Sequence, residues 1–275
     1  MIRQEHYNLL TYKTVLHSLL YFGYNGSDMD ITILIPIFLG WLAALFVNYA
    51  ADVLPATRRL TSPACSQCAA KPTWTDYLLL KGCRGCGRPR GWRTWVTQFV
   101  GVAATVYIWL SPPQGLGFAL GLILLIYLAI VFVIDMEHRL ILHPISIIGA
   151  LLGLGIGYLL HGIRLTLIGG AAGFGIMFIL YYFGVLFARA MSRRRGDPIE
   201  EGDALGFGDV NLAGVLGLMV GWPLIWIGVL TAILAGGAVS LIIILGMLAF
   251  KRYKAFAAIP YAPFLILGAA LLLYR

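Results

Sequence analysis

Charge is what this sequence lacks over its longest stretches. Thr94 to Ile134 contains no Asp, Glu, Lys or Arg, and Val210 to Phe250 is a second charge-free run; each is 41 residues long. Charged residues make up only 12% of the 275 positions against 60% hydrophobic ones, and the mean hydropathy is +0.86. Such a balance excludes a soluble globular domain and places the chain in lipid. As single helices the two runs would be roughly twice the ~30 Å of bilayer hydrocarbon, so both must turn back. Breakers stand where they are needed, Ser111-Pro112-Pro113-Gln114-Gly115 in the first and Gly221-Trp222-Pro223 in the second. The runs are also too long and unalternating for barrel strands, which leaves helices.

Other absences narrow the chemistry. The chain holds no Gly-x-Ser-x-Gly and no His-Glu-x-x-His, which removes the commonest serine and zinc peptidase patterns. No glycine-rich strand-to-helix fingerprint for a nucleotide-like cofactor is present. No small-residue cleavage pattern precedes the apolar run at Ile31, so residues 1–30 are read as an interfacial or irregular arm.

What is there divides into apolar spans at about 31–51, 94–110, 115–134, 144–161, 165–188, 204–221, 223–249 and 255–274. The fold class is therefore all-α, a polytopic membrane helix bundle of about eight transmembrane helices. If these alternate, sixteen of the twenty Lys and Arg residues fall on one side, eight of them in loop 52–93. The positive-inside rule makes that side cytoplasmic. The net charge of +8 is thereby explained by topology, with membrane lipid as the surroundings and no nucleic acid needed as a partner. The domain order is an arm at 1–30, a first transmembrane helix at 31–51, a cytoplasmic loop at 52–93 and a seven-helix membrane domain at 94–275.

All four cysteines sit in that loop, as Cys65-Ser66-Gln67-Cys68 and Cys83-Arg84-Gly85-Cys86. Two CxxC pairs with a 14-residue spacer predict a zinc-ribbon-like site, each knuckle supplying two thiolates to a tetrahedron. Redox dithiols share this spacing, although a reducing cytoplasm disfavours disulfides. A closed four-sulfur site leaves no position for water, so the zinc is expected to be structural and the chemistry to lie elsewhere.

Asp135 ends the third span after Ile130-Val131-Phe132-Val133-Ile134, and Asp209 lies near the start of the sixth. A sixth span beginning at Val210 would be too short to cross, so the helix is expected to start near Ala204 with Asp209 about one turn inside. Both carboxylates then stand at similar depth on the cytoplasmic face. Asp135 alone is also compatible with a solvated helix end. Asp209, between Gly208 and Val210, is costly at that depth. Gly206 and Gly208 permit close helix approach beside it. Two carboxylates that meet can share one proton, the ionised one activating water and the protonated one donating to a scissile carbonyl. His138, His143 and His161 are lone histidines at helix ends and receive no role, and Gly169, Gly170, Gly173 and Gly175 predict tight packing of the fifth span.

These residues together resemble the type IV prepilin peptidases, GxGD-type intramembrane aspartyl proteases. Gly206-Phe207-Gly208-Asp209-Val210-Asn211-Leu212 is similar to the family's second catalytic element and Asp135-Met136-Glu137-His138-Arg139 to its first. The paired CxxC loop, the eight spans and Ile259-Pro260-Tyr261-Ala262-Pro263-Phe264 before the last span agree with it. The resemblance implies a bacterial inner-membrane, multi-pass enzyme with Asp135 and Asp209 as its catalytic pair. It implies prepilin or pseudopilin substrates, cut after a short basic leader, with N-methylation of the new amine from S-adenosylmethionine. Glu200, Glu201 and Asp203 would attract a basic leader or merely offset Arg193-Arg194-Arg195. Gln98 stands where the family commonly carries glutamate, beside the region linked to methyl transfer. The other readings are a peptidase without methyltransferase activity and an ion- or proton-coupled transporter that uses the same two acids.

Overall fold

The computed structural model describes residues 32–65, 68–71, 73–195, 206–249 and 260–275. The arm at 1–30 and the acidic Glu200, Glu201 and Asp203 lie outside them. Every regular element among the described residues is a helix: α1 Leu34–Thr57, α2 Trp74–Leu78, α3 Trp92–Leu110, α4 Gly117–His138, α5 His143–Arg195, α6 Phe207–Val220, α7 Ile225–Ala249 and α8 Ala262–Leu273. Leu34–Thr57, Gly117–His138, His143–Phe187 and Ile225–Met247 are long and apolar enough to cross a membrane, which makes this a helical membrane protein. The helix at His143–Arg195 is two arms, because Gly162 leaves helical geometry with φ +78. The breakers act as their sequence predicts, α3 ending before Ser111 and α6 before Gly221.

The sixth span departs from expectation. Its described helix starts at Phe207, not near Ala204, because Gly206 is extended at φ −76 and ψ 139. With 14 residues it is about 21 Å long, and Asp209 occupies its first turn instead of lying a turn inside.

The chain divides into two compact units, Met1–Val53 with Leu60–Ile126, and Leu54–Arg59 with Tyr127–Arg275. In the first, α1 and α3 run antiparallel through small residues. A Cβ on Gly101 would lie 2.8 Å from the Cβ of Ala44, and one on Gly40 would lie 2.9 Å from the Cα of Val102. Two buried amides lace this seam, Asn48 donating to the Thr94 carbonyl at 3.3 Å and Gln98 to the Trp41 carbonyl at 2.7 Å. In lipid such packing, with interhelical hydrogen bonds, replaces the hydrophobic drive that joins helices in water.

In the second unit α6 packs chiefly against both arms of α5. Added methyl groups measure how close the backbones come. One on Gly169 would lie 2.5 Å from the Gly217 carbonyl oxygen, and one on Gly153 would lie 3.0 Å from the Leu218 Cβ. Gly170 and Gly173 face α6 in the same way, whereas Gly175 meets nothing within 4 Å and has no part in the packing. The contact buries Val210, Leu212, Ala213, Leu216 and Met219, and so fixes the helix whose first turn carries Asp209.

Candidate active site and thiol cluster

Asp135 lies in the last turn of α4 and Asp209 in the first turn of α6, so both acids stand at helix ends. Asp135 is 5% exposed and Asp209 8%, and the two carboxylates lie within electrostatic reach of each other. Burial of two acids with no salt bridge to either side chain among the described residues is expensive, and proteins retain such arrangements chiefly for function. One oxygen of Asp135, Oδ2, is buried without a hydrogen-bond partner.

The surroundings of each acid follow from local structure. Arg139 closes α4 by donating its main-chain N–H to the Asp135 carbonyl at 2.9 Å, and its guanidinium lies within electrostatic reach of that carboxylate. The Asp209 N–H returns to the Gly206 carbonyl at 3.0 Å, while the Gly206 N–H points at the Asp209 carboxylate. Phe207 anchors this turn to α5, edge-on to Tyr181 at 5.7 Å and to Phe174 at 6.4 Å between ring centroids. Tyr261, which caps α8, lies within electrostatic reach of Asp209.

The two glycines of the Gly-x-Gly-Asp stretch differ. A Cβ on Gly208 would lie 2.9 Å from the Cβ of Ile141, in the segment that follows Asp135. One on Gly206 would meet nothing nearer than an Asp209 oxygen at 3.6 Å. Gly208 therefore sets how closely the two aspartate-bearing segments approach, and Gly206 does not.

In the first unit, the sulfurs of Cys65, Cys68, Cys83 and Cys86 all lie within 4.8 Å of one another. Cys65 and Cys86 are 3.7 Å apart and Cys68 and Cys83 3.5 Å, close to the ~3.8 Å edge of a tetrahedron with metal–sulfur bonds of about 2.3 Å. The cluster could hold one metal ion. The two knuckles repeat a single main-chain pattern. Ala69 N–H bonds the Cys65 carbonyl and Cys65 N–H the Ala70 carbonyl, both at 2.9 Å. Gly87 N–H bonds the Cys83 carbonyl at 2.8 Å and Cys83 N–H the Arg88 carbonyl at 2.9 Å. Ala69 and Gly87, at matching positions, both have positive φ, +56 and +70, a conformation that costs alanine and not glycine. The N–H groups of Cys86 and Gly85 point at the Cys83 sulfur and hold that thiol below its ordinary value.

Gln98, by contrast, is enclosed between α1 and α3, its amide nitrogen donating to the Trp41 carbonyl and its Oε1 buried without a partner. His161 has its Nε2 enclosed without a hydrogen-bond partner, and no histidine joins a metal-type cluster among the described residues. The sequence gives no signal of one buried acid in this loop, Asp76 on α2, whose carboxylate accepts an Arg84 nitrogen at 2.6 Å beside Cys83.

Comparison with known proteins gives the same direction. The type IV leader peptidase family matches residues 122–241, a stretch that contains both aspartates. A prepilin leader peptidase/N-methyltransferase of Burkholderia pseudomallei strain 1026b is 31% identical over 272 aligned residues, spanning 90% of this chain and 81% of that protein. One of the same description from strain K96243 is 32% identical over 254, spanning 85% and 75%. No solved structure matches. Fold and comparison together define a helical membrane peptidase. The chain belongs to the type IV leader peptidase family.

Proposed function

We propose that the chain cleaves the basic leader peptide from type IV prepilins or pseudopilins at the cytoplasmic face of the bacterial inner membrane, with Asp135 and Asp209 as the catalytic pair. The observation that carries this is the approach of two buried carboxylates from segments more than seventy residues apart in a chain of this family. The ionised carboxylate takes a proton from water, whose oxygen attacks the scissile carbonyl while the protonated carboxylate donates to the carbonyl oxygen. Collapse of the tetrahedral species breaks the C–N bond, and the proton taken from water passes to the leaving amine. Gly208 supports the pair by allowing the close approach to Ile141.

A substrate whose own helix crosses the bilayer presents its leader junction where the acids stand. On this reading the chain is multi-pass with its basic loops inside, residues 52–93 form a cytoplasmic loop, and 94–275 form the peptidase domain. The four cysteines fit a structural zinc. When bound, the ion would use all four thiolates, leave no open position and contribute to the folding of the loop. The relatives' description adds methyl transfer to the new N-terminus, which would require S-adenosylmethionine. A transporter reading explains the acids but leaves the thiol cluster without a purpose.

The test is to incubate the purified protein in detergent with a prepilin and S-adenosylmethionine and to follow both products by mass. Wild type is expected to release the leader without any membrane gradient. Asp135→Asn and Asp209→Asn should each abolish cleavage with unchanged helicity. Normal cutting by either variant ends the two-aspartate mechanism.

A further inference from the structure

We propose that Asp76 is a positioning residue for the four-thiol site, and that α2 is a bracket joining that site to the ends of α1 and α3. The inference rests on the zinc reading above and extends it to side chains outside the cysteine motif.

Asp76 sits on a five-residue helix in a hydrophilic loop, yet its side chain is only 2% exposed. Its bonds with Thr73 cap the N-terminus of α2, but capping does not require the carboxylate to be buried. The carboxylate accepts the Thr73 hydroxyl at 2.6 Å and an Arg84 nitrogen at 2.6 Å, and Thr73 in turn accepts the Asp76 N–H at 3.3 Å. The Thr73 hydroxyl, with Arg84, holds the Asp76 carboxyl below the usual carboxylate range, as expected for a committed acceptor. Arg84 lies between two residues of the second knuckle, Cys83 and Gly85, and is 71% exposed. Packing therefore does not hold Arg84 in place; the buried carboxylate does.

The next residue of α2 grips in another direction. Tyr77 donates its hydroxyl to Asp52 in the last turns of α1 at 2.9 Å, and Asp52 also receives Arg93 from the first turn of α3. Arg90 lies over the Tyr77 ring, 4.4 Å from its centroid, and 3.8 Å from the Asp52 carboxylate. Neighbouring helical residues point about 100° apart, so one short helix can hold a knuckle with residue 76 and a helix end with residue 77. A group hydrogen-bonded to a metal's ligand typically contributes about 10- to 100-fold in metal affinity; Asp76 acts one step further out, through Arg84 and the main chain of the knuckle, so the low end of that range is expected.

The experiment uses the full-length protein in detergent, with Zn2+ as the probe. Zinc content is measured by elemental analysis and affinity by competition with a chromophoric chelator, and the thermal transition reports whether each variant is folded. Wild type should hold one zinc. Asp76→Asn and Arg84→Gln should each weaken binding about tenfold, and the double variant should be no weaker than either single one, because both break one link. Arg84→Gln alters an exposed side chain and keeps the test valid should Asp76→Asn fold poorly. Tyr77→Phe should leave affinity unchanged while amide exchange at residues 92–94 accelerates. Equal affinity in wild type, Asp76→Asn and Arg84→Gln overturns the inference alone; a wild type that takes up no zinc overturns the zinc reading with it.

Discussion

Gly208 lies so close to Ile141 that a methyl group added to the glycine would stand 2.9 Å from the Ile141 Cβ. Ile141 cannot yield by swinging a flexible tip, because the atom approached is its branch point. Gly208→Ala should therefore push the first turn of α6 away from the segment after α4 and separate Asp209 from Asp135. Misplacement of a reacting group by about 1 Å can cost about 100-fold in rate. The expected result is a loss of that order in kcat for prepilin cleavage, with the protein still folded. Gly206→Ala is the control. Its φ of −76 suits any residue and its new methyl meets only ordinary contacts, so cleavage should stay within about threefold of wild type, a change of roughly 0.7 kcal/mol. Rate assays on both variants decide it, and equal damage from both would refute the distinction.

That asymmetry marks the limit of what the sequence discloses. Long apolar runs with Pro and Gly breakers dictate helices wherever backbone groups cannot meet water, and the CxxC spacing dictates that four sulfurs can meet. These features follow from local chemistry. Which of two glycines touches a neighbour, or which of four on one span faces open space, depends on the rotation of a helix around its own axis. With apolar residues on every side, α5 and α6 carry no polar stripe to reveal that rotation. The early start expected for the sixth span failed for a similar reason: a crossing length was assumed, whereas the described helix begins where Gly206 becomes extended. Asp76 was hidden because Arg84, eight residues further along an irregular loop, stands in no periodic relation to it that would reveal their contact.

Metal removal should separate the two halves of the chain's chemistry. A structural ion in a closed thiolate site contributes folding free energy and takes no part in bond breaking. Cys65→Ser or Cys83→Ser should lose zinc and expose residues 58–91 to limited proteolysis. Leader cleavage by the same preparations, scored after confirming intact helicity, should fall far less than in Asp135→Asn. Complete loss of cleavage in a folded cysteine variant would give the metal a role in the peptidase reaction.

The α5–α6 seam offers a comparison between two glycines of one helix. Gly169 meets Gly217 backbone to backbone, so Gly169→Ala must open the seam, and overpacking of this kind costs about 1–3 kcal/mol. Gly175→Ala adds a methyl to open space and removes backbone freedom from the unfolded chain, with an expected change of less than about 1 kcal/mol in either direction. Thermal unfolding in one detergent should lower the midpoint for the first and leave the second near wild type. A similar drop for both would mean that the seam is not where α6 is held.

Phe207 tests whether the anchoring of that seam reaches the acids. Its ring is half exposed, so its removal forfeits little burial, yet its edge-on contacts with Tyr181 and Phe174 are the aromatic ties from the first turn of α6 to α5. Aromatic pairs of this geometry are each worth about 0.5–1.5 kcal/mol beyond their buried area. Phe207→Ala should thus cost about 1–3 kcal/mol in stability. It should also lower kcat, because Asp209 sits two residues on in the same turn and fraying would carry it away from Asp135. Phe207→Tyr keeps the ring and should keep the rate. Steady-state cleavage of a prepilin separates the possibilities: a fall in kcat with KM nearly unchanged places Phe207 behind Asp209, whereas a rise in KM alone would make its exposed ring a substrate contact.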